Sequence, residues 1–333
     1  MKQNIAASYS TLSADALGEW ISEAYGFDRC LCSFLLRGVG DTYLVEEAET
    51  KYVFRVYRSG FRTLPDVEIE TGLLHELHKA GVSVSYPIKN LSGDYINVIA
   101  AAEGERFAVL FSFAHGRSYQ QLSEVQLQNL GREMAAFHNV SATLPYREGV
   151  RRFNIQTTLY EPIASVEQYF SKDPEAYEWL KRSADEASRY LSSLDTSKFS
   201  SGYCQFDFLP KNFHFDGDNK ITLFDFDFVG YGWLINDLMT FWVHLSLDIF
   251  FNRLTKEDGQ KNFKTFIESY RTVRPVSDEE VSAIPALSLG FWVFYMGFHA
   301  THDQFYGMIK EPGQLKLRMG LIRKLFEQNF AAK

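Results

Sequence analysis

Cysteine is scarce in this chain, which limits the metal sites and compartments that fit it. Only Cys30, Cys32 and Cys204 occur among the 333 residues. Cys30 and Cys32 stand two apart in a predicted strand, so their side chains point the same way, but no second cysteine pair completes a zinc site. So little cysteine is typical of a reducing compartment, and we expect the protein to be cytoplasmic.

The chain also lacks a surplus of positive charge. Its 34 Lys and Arg residues stand against 42 Asp and Glu residues, which gives a formal net charge of −8 at pH 7. Binding to a nucleic-acid backbone depends on many basic side chains, so we expect no nucleic-acid partner. The composition leaves the oligomeric state open.

A membrane-spanning run and a secretory leader are missing too. The longest apolar run, residues 286–298, is interrupted by Ser288 and is shorter than the roughly 18 residues that a spanning helix needs. Residues 1–10 lack the basic start and the apolar stretch of a signal peptide. We therefore expect no membrane partner.

The apolar pattern that is present predicts a β-rich amino-terminal part. Helices are predicted at residues 13–25, capped by Ser13, and at residues 66–80, ended by Gly81. Strand-like runs separated by turn residues lie at residues 31–37, 42–47, 52–57, 87–90, 95–100 and 107–113. This pattern predicts a five- or six-stranded antiparallel sheet with one internal helix.

Beyond Gly116 the pattern changes to the period of long helices. A capping box at residues 123–126 opens the first of them. Further helical segments lie at residues 161–170, 174–194, 234–251, 259–273, 278–299 and 313–330, and short strand-like runs lie at residues 203–208, 213–215 and 221–226. We predict an α+β fold with a β-rich lobe over residues 1–113 and a helical lobe, with an embedded β-hairpin, over residues 114–333.

Acidic and amide side chains with the order needed for phosphoryl transfer lie around that hairpin. Asp207 and Asn212 stand five apart between strand-like runs, and Asp225 and Asp227 end the next run. Transfer from a nucleotide needs a carboxylate that orients the attacking hydroxyl and oxygen ligands that hold Mg²⁺. A protein-kinase catalytic loop and its metal site have the same order of Asp, Asn and Asp. Seven of the 18 Asp residues, and no Glu, lie within residues 201–250, which predicts a Mg²⁺ centre there.

The β-rich lobe carries candidates for phosphate binding. Gly38 and Gly40 lie in a turn between the first two strands, where backbone N–H groups can approach phosphates, although such glycines also serve as ordinary turn residues. Arg55 is on the third strand, where kinases place a phosphate-binding lysine. Glu70, on the following helix, is a candidate partner for Arg55.

These segments resemble the aminoglycoside phosphotransferase superfamily, which includes choline kinases and type II homoserine kinases. The resemblance runs in family order over about residues 30–245. It rests on residues 52–58, 70–82 (ETGLLHELHKAGV), 109–116 (VLFSFAHG), 130–138 (LGREMAAFH), 202–212 and 223–238 (LFDFDFVGYGWLINDL). The resemblance implies a protein-kinase-like, two-lobed fold that binds Mg²⁺ and a nucleotide, ATP or GTP.

The resemblance also implies roles for the residues of the catalytic loop and metal site. Asp207 is then the catalytic carboxylate, and Asn212 and Asp225 hold Mg²⁺. Asp227 is either a second metal ligand or holds the backbone of its loop. Asp237 is implied to buttress the catalytic loop without reacting.

Nucleotide contacts in the first lobe follow from the same resemblance. Arg55 is implied to contact phosphates with Glu70 behind it. Ser112, Phe113 and Ala114 are implied to form a hinge whose backbone pairs with the nucleotide base.

The chain departs from the family pattern at two positions. Gln205 stands where the family has a histidine that braces the catalytic loop, and an amide can both donate and accept in its place. Arg55 replaces the lysine of protein kinases and keeps the positive charge. Lys211 is either a surface lysine or a cation that compensates near the γ-phosphate, and we count it with Asp207 among the catalytic candidates.

We therefore expect a phosphotransferase that moves the γ-phosphoryl group of ATP or GTP to a hydroxyl of a small molecule, such as an amino alcohol or an aminoglycoside-like compound. No Ala-Pro-Glu activation segment follows Asp225, which favours a small acceptor over a protein. A protein Ser/Thr kinase is one alternative. A catalytically weak nucleotide-binding module is another, because of Gln205.

Aromatic and histidine residues on the late helices have two interpretations. They either form core or line the acceptor pocket, and Asp303 beside them is a candidate for binding an amine. The set comprises Trp242, His244, Phe291, Trp292, Tyr295, Phe298, His299 and His302. His138, on an earlier helix, is expected to cap or pack that helix.

Overall fold

A computed structural model describes residues 5–330 of the chain. Its helices are α1 (Ala14–Tyr25), α2 (Leu64–Lys79), α3 (Glu124–Ser141), α4 (Glu161–Val166), α5 (Pro174–Ser193), α6 (Ile235–Phe250), α7 (Lys256–Arg271), α8 (Asp278–Thr301), α9 (Gly307–Lys310) and α10 (Pro312–Phe330). Its strands are β1 (Cys30–Arg37), β2 (Asp41–Glu47), β3 (Thr50–Val56), β4 (Pro87–Ile88), β5 (Ile96–Ala101), β6 (Gly104–Ser112), β7 (Arg152–Phe153), β8 (Ser201–Cys204), β9 (Phe213–Asp216), β10 (Lys220–Leu223) and β11 (Gly230–Trp233). Residues 1–4, which are part of the segment 1–10 that lacks the pattern of a signal peptide, lie outside the described residues.

The chain forms two compact units. The first consists of Met1–Ser118 and Phe213–Asp227, and the second of Tyr119–Asn212 and Phe228–Lys333. The predicted boundary at residue 113 differs, because the β9–β10 hairpin groups with the first unit and is not embedded in the helical part. Backbone hydrogen bonds explain the difference, since the Leu223 carbonyl accepts from Ser85 at 2.8 Å and the Leu223 N–H donates to Ser83 at 2.9 Å.

The first unit is built on an antiparallel sheet of six strands, as the sequence predicts. The strand order is β1-β2-β3-β6-β4, with β5 also paired to β6. Alternation along β2 and β3 turns Tyr43, Val45 and Phe54 inward, where they are fully buried. Helix α1 begins after the predicted cap Ser13 and packs its buried Ile21 into the same core. This sheet fixes the position of Arg55 on β3.

The second unit contains the long helices and a small three-stranded sheet, of which only β8 overlaps a predicted strand-like run, at residues 203–208. Strand β11 pairs antiparallel with β8 and parallel with β7. A Cβ atom on Gly232 would lie 2.6 Å from the Phe153 carbonyl oxygen, so the close strand contact requires glycine there. The short strand β11 leads directly into α6, which carries Asp237.

Helix α8 corrects the expectation that no segment is long and apolar enough to span a membrane. By length and composition this 24-residue helix meets both criteria, because isolated Ser and Gly residues do not interrupt it. Half of its most apolar stretch is buried in the structure. It packs against α4, α5, α6 and α10 of the same unit, which is the environment of a core helix.

Candidate active site

In the first unit, Arg55 bridges the two acidic residues that follow the β9–β10 hairpin. Its Nη1 lies 2.9 Å from Oδ1 of Asp225, and its Nη2 donates to Oδ2 of Asp227. The side chain of Asp225 is 34% exposed, whereas that of Asp227 is 3% exposed. The structure thus brings together three of the residues predicted for phosphate and metal binding.

The predicted ion pair between Arg55 and Glu70 is wrong. Oε2 of Glu70 lies 3.2 Å from Nη2 of Arg62 and accepts from the Tyr57 hydroxyl at 3.0 Å. Arg62 also donates to the Asp227 backbone carbonyl. Arg62 lies in the connection before α2, close to the buried face that carries Glu70, and it takes the carboxylate that we assigned to Arg55.

The electrostatics of this cluster follow from its burial. Burial raises the pKa of Glu70 to about 7, although Arg62 opposes the change. Burial also raises the pKa of Asp227, against the effect of Arg55. Burial disfavours the charge on Arg55, but Asp227 and Asp225 outweigh it and raise the pKa of that guanidinium.

Asp225 and Asp227 differ in how well their carboxylates suit the binding of Mg²⁺. Asp225 is partly open and has a carboxylate, the ligand type that Mg²⁺ prefers, on a backbone with a positive φ of 62°. Asp227 is buried and bonded to Arg55 and Arg62, which favours the predicted alternative that it holds its loop over that of a second metal ligand. Residues 5–330 contain no cluster of three or more His, Cys, Asp or Glu side chains with the geometry of a metal site.

The glycine turn has two differently constrained positions. The Gly38 N–H donates to the Gly40 carbonyl at 2.8 Å, which closes the turn. A Cβ atom on Gly40 would lie 2.7 Å from the Val56 carbonyl oxygen, while a Cβ atom on Gly38 would approach only the Leu36 side chain, at 3.4 Å. Packing therefore explains Gly40, and Gly38 is left for the predicted phosphate contact.

The backbone groups of the predicted hinge residues differ in the hydrogen bonds that they already form. The Ser112 N–H is occupied, because it donates to the Tyr86 carbonyl at 2.9 Å, and the Ser112 carbonyl accepts from the Ser85 hydroxyl. The carbonyl of Ala114 faces Nδ1 of His214 at 2.8 Å. Within the described part of the chain, the backbone of Phe113 and the N–H of Ala114 have no hydrogen-bond partner, so these groups keep the predicted role.

In the second unit, the carboxylate of Asp207 is held by two neighbours from the turn that follows it. Oδ2 of Asp207 accepts from the Asn212 amide at 2.7 Å and lies 2.9 Å from Nζ of Lys211. Asp207 and Asn212 are buried, whereas the Lys211 side chain is 61% exposed. The amide nitrogen of Asn212 is used by Asp207, and its amide oxygen is the atom that a metal ion would bind.

Asp237 braces the loop that carries Asp207, as predicted. Its carboxylate accepts the backbone N–H of Gln205 at 2.9 Å and that of Phe206 at 2.6 Å. On the far side of Asp207, the Phe208 N–H donates to the Thr240 hydroxyl at 3.0 Å. Phe206 has a positive φ of 61°, a conformation that side chains rarely adopt and that this brace maintains.

Two further members of the brace were missed by the sequence analysis. His138 does more than cap or pack its helix, since its Nε2 lies 3.1 Å from Oδ2 of Asp237 and its Nδ1 lies 2.9 Å from the Tyr270 hydroxyl. Burial lowers the pKa of His138, against the effect of Asp237. Only the segment of residues 130–138 pointed to His138, and no sequence signal pointed to Tyr270.

The late aromatic residues separate into two groups. On α8, Phe291, Tyr295, Phe298 and His299 form successive ring contacts with centroids 4.8–6.3 Å apart. His244 lies on α6 instead, with Nε2 3.6 Å from Oδ2 of Asp248. An acceptor pocket remains a prediction for the α8 group alone.

The chain is similar to known proteins over most of its length. The model of the phosphotransferase enzyme family matches residues 32–275. The chain is 28% identical over 307 residues to an uncharacterized protein of Deinococcus radiodurans, covering 90% of this chain and 86% of that protein. It is 26% identical over 265 residues to the homoserine kinase of Agrobacterium fabrum, covering 78% of this chain and 73% of that enzyme.

Solved structures show the same fold. An amicoumacin kinase in complex with AMP-PNP, Ca²⁺ and Ami superimposes with a TM-score of 0.72 at 19% identity, over 93% of each chain. A microcompartment-associated aminopropanol kinase superimposes with a TM-score of 0.71 at 20% identity, over 94% of this chain and 98% of that one. The predicted kinase-like α+β fold is confirmed.

Proposed function

The chain belongs to the phosphotransferase enzyme family, and on this premise we propose that it transfers the γ-phosphoryl group of ATP or GTP to a hydroxyl of a small molecule. The observation that carries the proposal is the state of Asp207. Its carboxylate is held by Asn212 and Lys211 on a loop that Asp237 braces at two backbone N–H groups. A buried and positioned carboxylate of this kind suits the orientation of an attacking hydroxyl.

In the proposed reaction, Asp207 accepts a hydrogen bond from the acceptor hydroxyl and takes its proton as the oxygen attacks the γ-phosphorus. The bond from that phosphorus to the oxygen bridging the β- and γ-phosphates breaks, and ADP or GDP leaves. Asn212 and Asp225 are the residues that would hold Mg²⁺, which would neutralise the charge of the transferring phosphates. Arg55 contacts the phosphates of the nucleotide, with Asp227 holding its guanidinium in place. Phe113 and Ala114 offer backbone groups to the base, which leaves both ATP and GTP as candidates.

The relatives indicate the general class of the acceptor, but they do not identify the compound. The named relatives and neighbours are kinases of homoserine, amicoumacin and aminopropanol, which supports a small molecule over a protein acceptor. Hydrogen bonds to Asp237 and Thr240 hold the catalytic loop in place, and this order is evidence against a catalytically weak nucleotide-binding module. The proposed acceptor is therefore a small hydroxyl compound, with amino alcohols and aminoglycoside-like compounds among the candidates.

An acceptor screen tests the proposal. The native protein is incubated with Mg²⁺ and either ATP or GTP, together with amino alcohols, hydroxy amino acids, aminoglycosides or casein, and ³¹P NMR identifies new phosphate esters. The proposal expects an ester of at least one small molecule. Labelling of casein alone would contradict it in favour of a protein kinase, and nucleotide binding without any ester would favour the binding module.

A further inference from the structure

Arg318 on α10 is a half-buried cation whose interactions differ from those of a structural arginine. Its Nη1 lies 2.7 Å from Nδ1 of His299 on α8. A guanidinium can only donate, so Nδ1 accepts and the proton of the neutral imidazole lies on Nε2. Across residues 5–330, no carboxylate forms an ion pair with Arg318, and burial lowers its pKa to about 10.

Other buried arginines of this chain are neutralised by carboxylates. Nη1 of Arg55 lies 2.9 Å from Oδ1 of Asp225, and Nη2 of Arg106 lies 3.1 Å from Oδ2 of Asp41. A guanidinium that is withdrawn from water without an anion loses hydration and gains little in return. Arg318 therefore has the properties of a side chain that binds an anionic ligand.

The surroundings of Arg318 are basic and adjoin the catalytic loop. Burial, together with Arg318, His302 and Lys211, lowers the pKa of His299 to about 3, so the ring is neutral at physiological pH. Lys211 is the residue whose Nζ lies 2.9 Å from Asp207. An anion bound at Arg318 and His299 would thus lie on the side of the second unit that carries Asp207.

There is room for a ligand next to Arg318. Arg318 lines a groove of about 1140 Å³ between α6, α8 and α10, whose apolar wall includes Trp292 and Leu317. The charged residues along the groove are Glu311, Lys316, Arg318 and Lys324, so its lining carries three positive charges and one negative charge. Both the space and the charge suit a small anionic molecule.

We propose that Arg318 and His299 bind an oxyanion of the acceptor, so that the substrate is a hydroxyl compound that carries a carboxylate or a phosphate group. This inference rests on the proposed phosphotransferase function and names the class of its acceptor. Arg318 supplies a charged donor, and Nε2–H of His299 supplies a neutral one. Asp303, whose side chain is 53% exposed beside His302, stays a candidate for an amine, and a hydroxy amino acid would satisfy both ends.

The experiment compares acceptors that differ only in the acidic group. The pairs are 4-hydroxybutyrate with 1,4-butanediol, and L-homoserine with 2-amino-1,4-butanediol, while 4-hydroxybutyl phosphate tests phosphate against carboxylate. We expect kcat/KM of the native protein to favour the acids. In Arg318→Met this preference should fall by about 10- to 100-fold, mainly through KM, as expected for the loss of a charged hydrogen bond. Arg318→Lys, which keeps the charge but not the planar fork, should retain part of the preference.

Arg323→Met is the matched control. Arg323 lies on the same helix, five residues further along, over the ring of Trp179 at 5.0 Å, and its loss should leave the preference for acids unchanged. Circular dichroism of each variant checks the fold. Equal use of acids and alcohols by the native protein, or an unchanged preference in both Arg318 variants, would overturn the inference while leaving the phosphotransferase function intact.

Calorimetry separates the two proposals when no ester forms. Binding of 4-hydroxybutyrate to the native protein, with 1,4-butanediol as reference, is measured directly and again in Arg318→Met. Binding that depends on Arg318 without any transfer supports the oxyanion site and contradicts the proposed function. No stronger binding of any acid than of its alcohol overturns the oxyanion site.

Discussion

Nη1 of Arg55 lies 2.9 Å from Oδ1 of Asp225. The residue predicted to contact phosphates is therefore ion-paired with the residue predicted to hold Mg²⁺. Mg²⁺ held by Asp225 would repel the Arg55 guanidinium on the same carboxylate, so the two cations would compete. An Arg55 side chain released from Asp225 would be available to the phosphates of the nucleotide.

This competition predicts that Arg55→Met raises the affinity of the chain for a divalent cation while weakening its affinity for nucleotide. Mn²⁺ binding in the absence of nucleotide, followed by electron paramagnetic resonance, should tighten roughly tenfold because a nearby positive charge is lost. Arg55→Lys keeps the charge and should not tighten it. Weaker Mn²⁺ binding in Arg55→Met, with the fold intact, would show that Arg55 does not compete with the metal.

Glu70 predicts a pH dependence of stability. The folded chain keeps the proton on Glu70 up to about pH 7, whereas the unfolded chain releases it near its ordinary pKa of 4.5. The folded state therefore binds more protons in this window, and the free energy of unfolding falls as pH rises from about 4.5 to 7, by up to roughly 3 kcal/mol. Above pH 7 this contribution levels off.

Urea unfolding at several pH values tests the effect in Glu70→Gln. The slope of unfolding free energy against pH should become shallower in this variant, although Asp227, whose pKa is also raised by burial, preserves part of it. Glu76→Gln, at an exposed position of the same helix, should keep the native slope. Identical slopes in the native chain and in Glu70→Gln would contradict the assignment.

Substitution of Thr240 should lower kcat and leave the KM for nucleotide nearly unchanged. Thr240→Val removes the hydroxyl that accepts the Phe208 N–H at 3.0 Å, which should cost about 1–3 kcal/mol of stability because a buried donor loses its partner. Since Phe208 adjoins Asp207, kcat should fall while the KM for nucleotide changes little. Thr272→Val is the control, because the Thr272 hydroxyl bonds only the Ser269 carbonyl at the end of α7. A Thr240→Val protein with native kcat would show that this contact does not position the loop.

The glycine turn predicts different outcomes for its two glycines. Gly40→Ala should destabilise the chain by about 1–3 kcal/mol, since its Cβ meets the Val56 carbonyl oxygen at 2.7 Å. Gly38→Ala has space and should leave the unfolding free energy nearly unchanged. If the turn holds phosphates, Gly38→Ala raises the KM for nucleotide, and a native KM would reduce Gly38 to a turn residue.

Much of the fold was predictable because its signals are local. The strand-like runs of β1 to β3 and the caps at Ser13 and Ser123 depend on neighbouring residues, and the structure has the same elements within a few residues. The order of Asp207, Asn212 and Asp225 likewise stands in one short segment. Such features need no knowledge of how distant parts of the chain pack.

Contacts between distant residues were not predictable in this way. His138 and Tyr270 are 132 residues apart, and only the packing of α3 against α7 brings them together. Glu70 pairs with Arg62 and not with Arg55, because the connection before α2 places Arg62 next to the Glu70 carboxylate. The hairpin joined the first unit through hydrogen bonds to Ser83 and Ser85, which hydrophobic periodicity does not encode.

Asp207→Asn removes the charge of the proposed catalytic carboxylate and keeps its shape. Single-turnover transfer from ATP to the best acceptor of the screen is measured for the native protein, for Asp207→Asn and for Asp195→Asn, a control at a surface position. We expect Asp207→Asn to bind Mg-nucleotide normally and to transfer the phosphoryl group about 100- to 10,000-fold more slowly, while Asp195→Asn is unchanged. Transfer by Asp207→Asn at the native rate would show that Asp207 is not the catalytic carboxylate.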